Sequence, residues 1–338
     1  MNNSSSPENQ TTFNDRLAVV FVYATVAPGI VETLLCIVVL VTATTKRTIR
    51  DVPPNRLVLV SAACDLIRGI HTCLSPILYR ESGVEPTHLN LISCKIYQWV
   101  HMFQYAASFW LVAAIAYSRY DVVARPMNPR LTRRGVWGIV LGVVAIAATF
   151  ATLPLVGWNR YVLRRLPNGN YRCTGSDRNA GLLDRAFVPV YFGINSLIPI
   201  IIIVVFLVKI VPIAVRSDAW KASRRRRQND SDINISHVLK SKSFRYVLAI
   251  VVTNVVFSAP YVSVRITRYL FKVKMRNYAT SVCKVLLSVN YVLNSVLYIF
   301  WARTFQEKLS NVFCLRRLRR TATTKTTSLS SSSGRNIV

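Results

Sequence analysis

The chain alternates between long oily stretches and short polar connections. A bilayer span needs about 20 mostly apolar residues. By that measure the pattern predicts helices over Leu17–Thr44, Arg56–Tyr79, Ile92–Ala124, Val136–Val156, Ala186–Val215, Ser243–Leu270 and Ala279–Ala302. The fifth, with its run LIPIIIIVVFLVKIVPIAV, is the clearest; the second and sixth are the least oily. Lipid offers the backbone no hydrogen-bond partner, so a span is either a helix or part of a closed barrel. A barrel needs short alternating strands, and the pattern contains none. The expected fold class is therefore an all-α membrane protein, a seven-transmembrane helix bundle over residues 17–302. Past it, Phe305, Leu309, Val312 and Phe313 recur at helical spacing beside Lys308, Arg316 and Arg317. They predict a short amphipathic helix over 303–315 lying on the membrane. A polar, hydroxyl-rich tail over 316–338 is expected to be disordered, and residues 1–16 form a polar leader without an apolar signal segment.

Composition sharpens this picture. The 338 residues are 52% hydrophobic, with 43 Lys and Arg against 14 Asp and Glu and a net charge of +29. A uniformly basic protein would point to nucleic acid. Here the charges stand between apolar runs, as in a membrane protein whose loops meet anionic lipid. Membrane lipids are thus expected partners and nucleic acid is not. Lys46, Arg47 and Arg50, then Arg125, Arg130, Arg133 and Arg134, then Lys221, Arg224–Arg227, Lys240, Lys242 and Arg245, and finally Arg316, Arg317, Arg319 and Arg320 all fall on one side. That side is cytoplasmic by the positive-inside rule, so the N-terminus is outside and the chain is a multi-pass plasma-membrane protein. Arg160, Arg164, Arg165, Arg172 and Arg178 on the outer side work against the rule without reversing it. Sequons at Asn2, Asn3 and Asn9 add support as glycosylation sites of an extracellular leader; those at Asn229 and Asn234 fall in an inner loop. Cys94 and Cys173 both fall outside, where a disulfide persists. Cys36, Cys64, Cys73 and Cys283 read as packing residues. Cys314, at the end of the amphipathic stretch, is a palmitoylation candidate, with an unmodified thiol as the alternative. No Gly-rich phosphate loop, His/Cys metal cluster or Ser/His/Asp arrangement stands out, so no enzyme is expected.

Several landmarks stand in order along the spans. They are Asn55 and Asp65 in the second, Cys94 opening the third with Arg119 25 residues on, and Trp137 opening the fourth with LPLVGW closing it. Pro199 and Pro260 lie within the fifth and sixth, NSVLY spans Asn294 to Tyr298, and Phe305 follows. This set resembles the rhodopsin-like (class A) G-protein-coupled receptors, over roughly Leu17 to Cys314, in an orphan-like form. The resemblance implies that SRY, with Arg119 and Tyr120, matches the family's D/E-R-Y triplet. There the arginine is freed when span six swings outward and helps receive a heterotrimeric G protein; Asn294 and Tyr298 belong to the same switch. It also implies a Cys94–Cys173 disulfide, and receptor kinases and an arrestin acting on the tail. The alternative for Arg119 is simple snorkelling to headgroups. The chain departs from the pattern at Ser118, which replaces the triplet's acid, and at Ser258, which replaces a tryptophan two residues before Pro260. Ser295 replaces the proline of NPxxY, Ile37 a polar residue of span one, and Leu207 a tyrosine of span five.

Two polar constellations remain. Asp65 lies mid-span, where an unpaired carboxylate is costly. The resemblance implies a sodium site there, completed by Ser108, Asn290 and Asn294, although Tyr291 is bulky where a small hydroxyl is common. The competing reading is an internal salt bridge, with Arg68 one turn from Asp65 and Glu32 as a further partner. On the outer half, His101 and Tyr105 resemble ligand contacts of the family. His101 replaces the aspartate of amine receptors, and Arg265 and Lys284 place cations on the outer turns of spans six and seven. These residues predict an extracellular ligand of anionic chemistry; headgroup anchors are the alternative. GWNRY and CTGSD look like the outer loop of invertebrate opsins. The retinal lysine of that group would fall at Ser288, with Lys284 one turn outward, about 6 Å away, so no retinal is expected. The function expected is a receptor sensing an extracellular ligand and activating G proteins. A non-signalling scaffold, a seven-helix transporter and a retinal-independent opsin relative stand as alternatives.

Overall fold

The computed structural model describes residues 7–45, 53–82, 91–125, 128–165, 171–174, 181–225, 242–271 and 277–301. Seven long helices appear among them: α1 (Pro7–Thr45), α2 (Pro53–Ser82), α3 (Leu91–Ala124), α4 (Arg133–Val156), α5, α6 (Lys242–Leu270) and α7 (Asn277–Trp301). Helix α5 is composite: Leu182–Phe192, a π-helical turn Gly193–Leu197, then Ile198–Arg225. Each predicted span is recovered. Six of the helices are long and apolar enough to cross a membrane, and α6, one of the two least oily stretches, is the seventh.

Helix α3 forms the axis. It packs on α2, α4, α5 and α6, while α1 closes the ring between α2 and α7. Its residues Gln104–Phe109 and Leu111–Ala116 are all buried, the all-round burial of a helix enclosed by others. Around it the usual arrangement of a soluble protein is inverted. Leu141, Val208 and Ile96 are 67%, 63% and 60% exposed, whereas Asp65, Asn254 and Asn290 are 1%, 2% and 0% exposed. Apolar side chains outside and polar ones inside are stable where the surroundings are hydrocarbon.

Helix ends follow local chemistry. Thr132 caps α4, its Oγ1 accepting from the Gly135 N–H at 3.1 Å, which satisfies one of the orphan donors of the first turn. Gly157 closes the helix at φ 130°, a conformation open to glycine. Where α1 crosses α2, Gly29 and Gly69 let the backbones approach: a Cβ on Gly69 would lie 3.1 Å from the Gly29 carbonyl oxygen.

Two features differ from the sequence reading. Helix α1 begins at Pro7, ahead of the predicted span at Leu17 and within the polar leader. The loop after α4 contains an antiparallel hairpin, β1 (Val162–Arg165) with β2 (Tyr171–Thr174), paired Val162 to Thr174 and Arg165 to Tyr171. Four-residue strands rich in arginine show no alternation that periodicity detects; their pairing is decided by the chain closing on itself. The amphipathic helix at 303–315, the tail at 316–338, Asn2, Asn3 and Cys314 lie outside the described residues.

Candidate functional site

At the inner end of the bundle, Arg119 stands half-buried in the last turns of α3. Its neighbours are engaged elsewhere. The buried Ser118 hydroxyl donates to the Ile115 carbonyl at 2.7 Å. Asp121, 1% exposed, accepts from the Leu131 N–H at 2.8 Å and faces Arg125 at 3.4 Å. Asp121 therefore fastens the connection between α3 and α4. Tyr117 and Tyr120 each place a ring 5.3 Å from Phe206 of α5, so α3 and α5 meet through aromatic faces beside Arg119. The side chain of Tyr298 lies outside the described residues.

Further out, the helices enclose two polar knots. In the first, Arg68 Nη2 donates to Asp65 Oδ1 at 2.7 Å and also to Glu32 Oε1, and the Ser108 hydroxyl bonds to Asp65. The Tyr291 ring lies over the guanidinium, its centroid 3.2 Å from Cζ. The internal salt bridge that the sequence allowed is thus formed, with Glu32 as its third member. In the second knot, Asn254 Nδ2 donates to Asn294 Oδ1 at 3.2 Å and Asn290 Nδ2 donates to Asn254 Oδ1 at 3.1 Å. The Ser258 hydroxyl donates to the Asn254 carbonyl. Of the residues expected around Asp65, Ser108 reaches it, while Asn290 and Asn294 bond to α6. Asn254 was missed by the sequence reading. An amide within a predicted span hints at a polar contact, but its partners on α7 are decided by packing. Ser295 meets Cys36 of α1 at 3.3 Å.

The outer half separates the predicted ligand residues. His101 is exposed, its ring 6.2 Å from that of His71, which in turn lies 4.2 Å from Tyr97. Tyr105, one turn inward, is buried and bonds to Ser196 at 2.9 Å. Phe109, Tyr191, Phe192 and Tyr261 surround it with centroids 5.0–6.4 Å away. Arg265 stands on α6 with its Cζ 5.9 Å from the Tyr261 ring. Lys284 is exposed on α7, and Ser288 Oγ donates to its carbonyl at 3.0 Å, one turn inward. The charges of Lys284 and Arg265 act on His101, while Arg68 is held inward in the first knot. Cys94 is fully buried and disulfide-bonded. The backbone of Cys173 stands opposite Leu163 on the hairpin; its side chain lies outside the described residues.

Residues 36–298 match the sequence profile of the 7 transmembrane receptor (rhodopsin family). Among individual proteins, a rhodopsin of Cataglyphis bombycina is 28% identical over 163 residues, 48% of this chain and 41% of that protein. Ceropsin of Bombyx mori is 23% identical over 285 residues, 82% of this chain and 73% of that protein. The chain thus spans under half the length of the first of these and about three quarters of the second. The crystal structure of squid rhodopsin superposes with a TM-score of 0.70 at 17% identity, covering 88% of this chain and 86% of that one; the likeness is one of fold.

Proposed function

We propose, since this chain belongs to the rhodopsin family of seven-transmembrane receptors, that it sits in the plasma membrane with its N-terminus outside and senses an anionic extracellular ligand. It passes the signal to a heterotrimeric G protein through Arg119, with Tyr120, Asn294 and Tyr298 in the same switch. The observation that carries the inner half of this reading is the state of the arginine's neighbours. Ser118 and Asp121 direct their hydrogen bonds to Ile115 and Leu131. Ser118 stands where the family's triplet carries an acid, and a guanidinium exchanges acceptors without losing charge. A serine in place of that acid implies signalling without ligand. The outer half rests on the positive charge that Arg265 and Lys284 bring toward His101. A ligand carboxylate or phosphate meets complementary potential there. A Cys94–Cys173 disulfide would hold the hairpin over this outer half.

A covalently held retinal does not fit these residues. Ser288 stands where the amine is needed, and a hydroxyl forms no Schiff base; Lys284, one turn outward, is exposed.

The test is G-protein activation in cells expressing the full chain, without ligand and with dicarboxylic acids, lysophospholipids and acidic peptides as probes. Arg119→Ala serves as the control at matched surface expression. A ligand-free signal above vector that Arg119→Ala removes supports the coupling half. Loss of response to an active acidic probe in Lys284→Glu or Arg265→Glu supports the anionic half. A chain at the surface that stays at vector level throughout is instead a non-signalling scaffold, the reading favoured by Ser118, Ser258 and Ser295. Sequential loss of the tail's hydroxyls, which lie outside the described residues, would then test recruitment of kinases and an arrestin.

A further inference from the structure

The polar core carries a cation of its own. Glu32 on α1, Asp65 and Arg68 on α2, and Tyr291 on α7 meet at one point, exposed by 2%, 1%, 5% and 7%. A single guanidinium nitrogen, Arg68 Nη2, donates to both carboxylates, and the Tyr291 ring covers the guanidinium face. One planar group thereby ties three helices, with α3 joined through Ser108.

The residues at this point do not suit the sodium ion that the resemblance implies. With both acids ionised the trio sums to minus one, so charge alone does not exclude a cation; geometry does. A sodium ion needs several oxygen ligands at short range and no fixed positive charge among them. Here Asp65 Oδ1 already binds a guanidinium at 2.7 Å. Asn294 Oδ1 accepts from Asn254 instead. Tyr291 brings ring carbon against the cluster where a small oxygen donor is required. Asp65 Oδ2 and Asn290 Oδ1 are left without a hydrogen-bond partner among the described residues, but an ion held by Asp65 would stand beside the Arg68 guanidinium.

We infer that Arg68 is a built-in counter-cation: it stands where a diffusible sodium ion would otherwise neutralise Asp65, and it clamps α1, α2 and α7 together. A charge fixed to α2 does not exchange with the bath. The strength of the clamp is then set by helix positions and not by the sodium concentration outside. Any movement of α7 that lifts Tyr291 from the guanidinium uncovers the pair to water and weakens it. A guanidinium also suits this place better than an ammonium, because it presents donors in a plane to two acids while its face accepts the ring.

The test uses the full-length receptor in lipid nanodiscs and needs no ligand. Sodium-23 line width and the thermal unfolding midpoint are compared in sodium chloride and in N-methyl-D-glucamine chloride at equal ionic strength. The wild type is expected to show the same midpoint in both salts, and no sodium line broadening that Asp65→Asn removes. Arg68→Gln leaves two acids without a cation, so its midpoint should become higher in sodium and its sodium line should broaden. Should Arg68→Gln not fold, the double variant Glu32→Gln with Arg68→Gln leaves Asp65 alone and carries the same expectation. A sodium-raised midpoint in the wild type, abolished by Asp65→Asn, overturns the inference. So does a folded Arg68 variant that remains indifferent to sodium, since Arg68 would then not be what keeps the ion out.

Discussion

Asp121 is where a single residue changes the reading of the inner end. It lies two positions from Arg119 in the sequence. The structure gives its oxygens to Leu131 N–H and Arg125, so its work is to hold the connection between α3 and α4. A buried donor left without its acceptor costs about 1–3 kcal/mol. Asp121→Ala should therefore lower the unfolding midpoint of the receptor in nanodiscs, with a loss in that range, because the Leu131 N–H is stranded. The same variant should leave ligand-free G-protein activation per folded molecule near wild type. A rise in that signal with no loss of stability would show that Asp121 restrains Arg119 after all.

Helices meet where small residues permit it, and α1 with α2 is the clearest case. Thr33 Oγ1 donates to the Gly29 carbonyl at 2.7 Å, and the space opposite is left by Gly69. A methyl group there would collide with Thr33 Oγ1 and press on the Gly29 carbonyl oxygen at 3.1 Å. Overpacking of this kind costs about 1–3 kcal/mol, and small residues are what allow close crossings in lipid. Gly69→Ala should lower the midpoint by an amount in that range. Adding Thr33→Ala should recover part of it, since the side-chain collision is removed and the backbone contact remains. Full recovery, or none, would mean that the crossing is not limited as described. The same crossing brings Glu32 within reach of Arg68, so Gly69→Ala should also disturb the ion trio. In α5, the π-helical turn Gly193–Leu197 places Asn195 where its Oδ1 accepts from Trp110 Nε1 at 3.2 Å while its Nδ2 donates to the Tyr191 carbonyl at 3.0 Å. π-turns of this sort recur at functional sites, and here the turn joins α5 to the central helix.

For the molecule as a whole, the inverted distribution of side chains requires a hydrocarbon surround, and the basic connections predict a direction for it. Two measurements check that direction. Enzymatic removal of N-glycans should shift the receptor's electrophoretic mobility, and the triple variant Asn2→Gln, Asn3→Gln, Asn9→Gln should abolish the shift. A leader tag should be labelled on intact cells while a C-terminal tag is labelled only after permeabilisation. Both tags labelled on intact cells would contradict seven crossings. The curated relatives and the squid rhodopsin fold agree with this architecture while differing from the chain at most positions, as expected when a bilayer constrains the helix lengths more tightly than it constrains the residues within them.

Much of the fold and part of the site were legible beforehand. The seven spans were readable because the free energy of moving a helix from water to lipid accumulates residue by residue along the chain. Even the weakly oily α6 met the length criterion, and Pro260 stood within it as a landmark. Arg119, Asp65 and Cys94 were found from their spacing. The hairpin, Asn254 and the role of Asp121 were not, because each depends on partners brought together by the turn of one helix against another. Asp121 and Leu131 are ten residues apart, Asn254 and Asn294 forty.

By itself, then, the sequence determined how often the chain crosses, which stretches do so and which charges share one side of the bilayer, since these are sums over neighbouring residues. Only the tertiary structure decided that Arg68 answers to both Glu32 and Asp65 beneath the ring of Tyr291, that Asn290 and Asn294 turn to α6, and that Tyr105 is closed in aromatic packing. A buried polar group is stable only with a partner. Which partner it takes is settled by helix rotation and crossing, and no local pattern encodes those.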